Sequence, residues 1–176
     1  MIPLCQINLT EAPFVPPILH DIALLTIFIS AHSLPLDTPN GDGWELRAYP
    51  SFEHLTEVVS PTYSSDIRPL PIRWELIEEE YPCWEDLPRA LHDAVPKEIA
   101  DNYDDLFAIQ QCSKIGGWPG LIQGEIVWAP FDEHPAHPEY AFQIDSEEKA
   151  QWVWGDMGTG YFGRGTGQAG DTWVLT

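Results

Sequence analysis

Apolar and polar residues alternate along this chain in blocks that are mostly of strand length. Residues 3 to 9, Pro3-Leu4-Cys5-Gln6-Ile7-Asn8-Leu9, form a short apolar strand pattern. The segment Pro13-Phe14-Val15-Pro16-Pro17 that follows cannot be helix interior, because each proline lacks an amide hydrogen and crowds the preceding turn. Leu24 to Ile29 is a nearly continuous apolar run with β-branched Thr26, Ile27 and Ile29, which predicts a strand buried on both faces. A turn cluster from Asp37 to Gly43 leads into Trp44 to Tyr49, which alternates with period two and predicts a third strand. Pro69 to Leu76 reads as extended, since proline disfavours helical angles in the residue before it.

Helical periodicity enters only in the middle. Leu87, Leu91, Ala94 and Val95 fall on one stripe, with Pro88 tolerated in the first turn. A second helix is predicted over residues 97 to 110, with Ile99, Tyr103, Leu106 and Phe107 inward and the acids outward. Residues 113 to 120 are a tight glycine-rich connector, 130 to 138 a proline and histidine loop, and Tyr140 to Ile144 a strand. Asp145 and Glu148 have the spacing of a capping box, which predicts a short helix starting at Asp145. Gly155 to Gly170 holds seven glycines in 16 residues and predicts turns with positive φ, before a last strand at Thr172 to Leu175.

An internal echo joins the two ends. Gln6-Ile7-Asn8 precedes Thr26-Ile27-Phe28, and Gln143-Ile144-Asp145 precedes Gly160-Tyr161-Phe162, with Gln-to-Phe separations of 22 and 19 residues. The expected fold is therefore α+β: duplicated β-rich subdomains, residues 1–82 and 111–176, packed together with a central acidic helical segment at 83–110, all in one domain.

Composition narrows the class of partner. The 176 residues carry 8 Lys and Arg against 28 Asp and Glu, a formal charge of −20, which is the wrong sign for generic binding to nucleic-acid phosphates. Residues 75 to 105 hold 11 of the acids, opposed only by Arg89 and Lys97. Such a run is either a solvated face or a surface that docks a basic partner, and both predict exposure. Cys5, Cys83 and Cys112 are odd in number, far apart and without a CxxC pair, so reduced thiols are expected. The first ten residues lack the basic and apolar regions of an export signal. The most apolar stretch, Ile18 to Ile29, spans 12 residues and contains His20 and Asp21. About 20 are needed to cross a bilayer, so the expected location is cytoplasmic, off the membrane.

Candidate chemistry is sparse. Asp132, Glu133, His134, His137 and Glu139 crowd one loop, but the two histidines sit between prolines and not on one helix face, so no metal is expected. The glycine run from Gly158 to Gly165 lacks both the Walker lysine and the following helix that a phosphate loop needs, so no cofactor is expected. No local signature of a nucleophile and base stands out, and no catalytic residue is assigned. Trp118, Trp152, Trp154 and Tyr161 lie beside glycines, and Trp118, Gln123, Asp156 and Arg164 form the candidate lining of a small-ligand pocket. The alternative site is an acidic protein-binding face of Glu85, Asp86, Asp101, Asp104 and Asp105.

The run from Lys114 to Pro119 with Ile122-Gln123, then Phe142 to Asp145, then Trp154 to Phe162, with Cys5 to Leu9 and Arg73-Trp74-Glu75, resembles the YwqG-like family over essentially the whole chain. That resemblance implies a mainly bacterial domain of unknown function with a pseudo-duplicated α+β fold, and its setting implies an immunity or antidote factor in a toxin system. It supplies no catalytic residues. Two departures stand out: family members usually carry a Gly-Gly-x-Pro segment before the opening Gln-Ile-Asn and run on past the final Trp-x-Leu, so edge structure is expected to be missing. The leading reading is a non-catalytic module that binds a basic protein; the alternative is a small-ligand protein or enzyme with a Trp- and Gly-lined pocket.

Overall fold

The computed structural model describes residues 1–35, 38–58, 66–107, 109–122, 126, 136–167 and 170–176. Two antiparallel sheets dominate it. The first has the order β1-β2-β3, built from Ile2–Asn8, Leu24–Ile29 and Trp44–Tyr49. The second has the order β4-β5-β6-β7, built from Lys114–Ile115, Glu139–Asp145, Thr159–Gly167 and Gly170–Leu175. Between them lie three single-turn helices, α1 at Arg89–His92, α2 at Lys97–Ala100 and α3 at Tyr103–Leu106, so the fold is mixed α+β and mostly β.

One apolar interior serves both sheets. Ile7, Leu25, Ile27, Ile29, Trp44 and Leu46 from the first meet Phe142, Ile144, Phe162, Trp173 and Leu175 from the second. Trp44 meets Phe162 edge-on at 6.0 Å between ring centres, and Phe162 stacks on Phe142 at 4.5 Å. Such contacts add about 0.5–1.5 kcal/mol per aromatic pair to the area buried. Polar interlocking comes from Arg164, only 5% exposed, whose guanidinium donates to both carboxylate oxygens of Asp21 at 2.6 and 2.7 Å and lies over the Trp173 ring.

The registers of the two sheets correspond. In β1 the pairing with β2 slips between Pro3 and Cys5; in β5 the pairing with β6 slips between Tyr140 and Phe142. Each slip lies just before the Gln-Ile-Asn or Gln-Ile-Asp triplet. Beyond the slips, Cys5 faces Ile27, which faces Leu46, while Phe142 faces Phe162, which faces Leu175. Trp44 and Trp173 then occupy matching places two residues before Leu46 and Leu175.

Several expectations are corrected. The two central helices are three one-turn pieces: Pro88 and Pro96 stand immediately before α1 and α2, and the second predicted helix breaks at Asn102, whose backbone leaves helical angles (φ −128°, ψ 21°) while its side chain donates to the Glu98 carbonyl. Segments of four residues cannot present a continuous apolar stripe, and Leu91, Ile99 and Leu106 are exposed. The glycine-rich segment expected to form turns does so only at its start, residues 155–157, where Gly155 and Met157 have positive φ; from Thr159 to Gly167 it is instead β6. Gly160 is needed there for close approach, since an added Cβ would lie 2.6 Å from the Trp154 indole. No helix starts at Asp145: it ends β5 and accepts from the Ser146 amide and the Thr159 hydroxyl. A 3-10 turn at Glu148–Ala150 follows, capped by Glu147. In β2, Thr26 and Phe28 are half-exposed and not buried, so this sheet keeps one partly open face, where Arg47 lies over Phe28 at 5.1 Å.

Candidate functional site

The acidic segment is placed by a polar knot on the outer face of the second sheet. Gln143, 2% exposed, projects away from the interior because its neighbours Phe142 and Ile144 take the core side. Its Oε1 accepts from the Gly120 amide at 2.9 Å and the Tyr140 hydroxyl at 3.0 Å, and its Nε2 donates to the Cys112 carbonyl at 2.9 Å. Tyr161, opposite Gln143 in the ladder, donates its hydroxyl to the Gly120 carbonyl at 2.7 Å. Burial lifts the Tyr161 phenol to about 12 and pushes that of Tyr140 up as well. The connector from Gly116 to Leu121 is thereby pinned across the sheet.

The connector in turn holds the acidic segment. Glu80 pairs with Lys114, both nearly buried, and accepts from the Trp118 amide at 3.0 Å. Gly117, at φ +68°, leaves room for that carboxylate where a side chain would stand. Cys83 donates its thiol to the Pro119 carbonyl at 3.5 Å and accepts from the Leu121 amide at 3.4 Å; burial raises its pKa. Tyr103 donates its hydroxyl to the Pro82 carbonyl at 3.1 Å. A ladder of rings then spaces the helices: Tyr81 on Phe107, Phe107 on Tyr103, Tyr103 on Trp84, and Trp84 on His92, with centres 4.4 to 5.3 Å apart.

Around this ladder Glu85, Asp101, Asp104 and Asp105 are exposed and rim an open cleft of about 340 Å³ that Trp84, Ala100, Asn102 and Tyr103 also line. Among the described residues no Lys, Arg or His forms an ion pair with any of these four carboxylates. Asp86 is half-buried and does not line the cleft. Four unneutralised carboxylates beside aromatic walls can accept hydrogen bonds from guanidinium or ammonium groups, for which the rings offer an additional attraction.

The sequence-predicted ligand pocket is distributed differently. Trp118 stands on the outer-face connector with 43% of its surface exposed. Arg164 lies on the opposite, core-facing side of the same sheet, committed to Asp21 and the Ile18 carbonyl. Asp156 is exposed in the turn between Trp154 and Gly158, and Gln123 lies outside the described residues. The sheet stands between Trp118 and Arg164, so the structure does not bring them together. Of the histidine loop, Asp132, Glu133 and His134 lie outside the described residues, and no group of three or more potential metal ligands occurs among the described ones.

Sequence reasoning missed the Glu80–Lys114 pair, the Cys83 clasp and the ring ladder. Thirty-four residues separate Glu80 from Lys114, and no periodicity marks such a pair. Gln143 had a signal: a long amide in an otherwise apolar strand must find partners when buried.

No helix among the described residues is long and apolar enough to cross a membrane. No curated protein and no solved structure matches the chain. The family model described as "Domain of unknown function (DUF1963)" matches residues 1–163.

Proposed function

The chain belongs to the DUF1963 family of domains of unknown function, and from that premise we propose that it is a cytoplasmic, non-catalytic binding module whose acidic flank docks a basic protein. The supporting observation is the clustering of Glu85, Asp101, Asp104 and Asp105, exposed and without cationic partners among the described residues, on a segment anchored to the connector of the second sheet through Glu80 and Cys83. A solvated face needs no such anchoring; a surface that must meet a complementary one gains from being pre-organised. The matching slips and the two Trp-x-Leu strands support reading the sheets as copies of one unit, with the flank inserted between them. The YwqG-like resemblance adds the finer expectation that the basic partner is a toxin and this chain its antidote.

The test is a comparison of two variants with equal net charge. One neutralises the flank (E85Q, D101N, D104N, D105N); the other neutralises four exposed acids elsewhere (D42N, E53Q, E57Q, D156N). Binding of a fluorescent nona-arginine peptide is followed by anisotropy at rising ionic strength. The flank variant should lose about tenfold more affinity than the control, with the loss concentrated in the association rate. Equal losses would mean that only the total charge matters and would remove the flank as a site.

A further inference from the structure

The segment that leads into the acidic flank has the sequence of a strand without a strand's partner. Leu70, Ile72, Trp74 and Leu76 alternate with Pro71, Arg73, Glu75 and Ile77, the period of two that a pleated chain requires. Yet residues 66–77 are neither helix nor paired strand. The segment is tied at three points: the Arg68 amide donates to the Ala150 carbonyl at 2.8 Å, Trp74 is half-buried against the core, and Glu80 is clasped by Lys114 and the Trp118 amide. Between those points Leu70, Ile72, Leu76 and Ile77 are 40–52% exposed. Among the described residues, no hydrogen bond joins residues 69–79 to any other part of the chain.

We infer that residues 72–79 are a docking strand, which becomes a β-strand by pairing with an extended segment of the basic partner. The inference rests on the reading of the acidic flank as a surface for such a partner and adds the mode of contact. Unpaired main-chain groups on an anchored segment are a ready template for strand addition. The alternating side chains would give an apolar contact on one face of the new pair. Charge selects the occupant. Glu75, Glu78 and Glu79 interleave with the apolar residues and run directly into the flank, so an incoming strand must carry Lys or Arg. A second copy of this chain would bring another formal charge of −20 and is disfavoured for the same reason. Pairing starts at Ile72 because Pro69 and Pro71 have no amide hydrogen to donate. Electrostatic steering by the flank then sets the association rate, and the strand contact sets the lifetime of the complex.

Millisecond hydrogen exchange on the full chain tests this, with two peptides of equal charge as probes: one alternating Arg and Val, the other oligo-arginine linked by Gly and Ser. With the alternating peptide at saturation, the amides of residues 72–79 should exchange about tenfold or more slowly than in the free chain. The linked oligo-arginine should leave them unchanged. The variant I72P/L76P removes two donors from an exposed segment, and it should shorten the complex lifetime with the alternating peptide while leaving its association rate intact. Binding of the alternating peptide without protection at 72–79 would overturn the docking strand and leave the flank reading standing. Absence of binding by either peptide would overturn both. Protection that rises with protein concentration in the absence of peptide would overturn the basic partner in favour of self-pairing.

Discussion

At the scale of single residues, two buried polar side chains decide how the chain is held together. Gln143 satisfies three partners at once, and its replacement by Leu would leave the Gly120 amide and the Cys112 carbonyl without their bonds. Each such orphan costs about 1–3 kcal/mol. Q143L is therefore expected to lower the melting temperature by several degrees, and tryptophan fluorescence should report a looser Trp118; an unchanged melting curve would refute the role given to the knot. Arg164 does the corresponding work on the core side. Its ion pair holds the Asp21 carboxyl below the ordinary value of 3.8, chiefly through the hydrogen bonds from the guanidinium. A depressed folded value stabilises the native state above the unfolded pKa, and that contribution is lost as pH falls through the folded one. Because Asp21 is 65% exposed, solvent screens the effect and D21N should cost only about 1 kcal/mol at neutral pH. The difference between D21N and the parent chain, followed by urea denaturation, should shrink below the unfolded carboxylate range.

At the scale of elements, glycine and proline decide what each segment becomes. Gly160 lies beneath the Trp154 indole, so G160A must push the ring aside at a cost of about 1–3 kcal/mol. A G160A chain as stable as the parent in urea would show that β6 does not need this close approach. Elsewhere, proline sets the element boundaries. Pro88 and Pro96 stand at the starts of α1 and α2, Asn102 breaks what periodicity joins over residues 97–110, and the ring ladder from Tyr81 to His92 replaces the apolar stripe as the packing device. Alkaline stability also belongs to this scale, because strongly raised groups sit on the strands, Cys5 in β1, Tyr140 in β5 and Tyr161 in β6. Burial lifts Cys5 from 9.0 to about 11 and Tyr161 from 10.0 to about 12. Folded values above unfolded ones give stability that is complete below pH 9 and fades as pH rises from there toward 12. Urea midpoints at pH 8 and pH 11 should differ accordingly, and less so in a C5A/Y161F chain.

At the scale of the whole molecule, a net charge of −20 opposes compaction and favours a cationic partner. Added salt should therefore raise the melting temperature of the free chain while weakening any complex with a basic peptide, since screening acts on self-repulsion and on attraction alike. Calorimetry at low and high salt would separate the two; a melting point that falls with salt would contradict the self-repulsion. The sequence by itself determined where most strands lie, because a period-two pattern and β-branched runs such as Leu24 to Ile29 report on a local geometry that each segment largely carries within it. It also determined the sign of the surface and the position of the acidic excess. Tertiary structure alone decided that a glycine run becomes the longest strand among the described residues, since the Trp154 ring beside Gly160 and Ala136 beside Gly165 leave no room for a side chain. It alone decided that Trp118 and Arg164 lie on opposite faces of one sheet, and that Glu80 finds Lys114 across 34 residues. Those facts depend on which distant segments share a sheet, and no short window of sequence contains both partners.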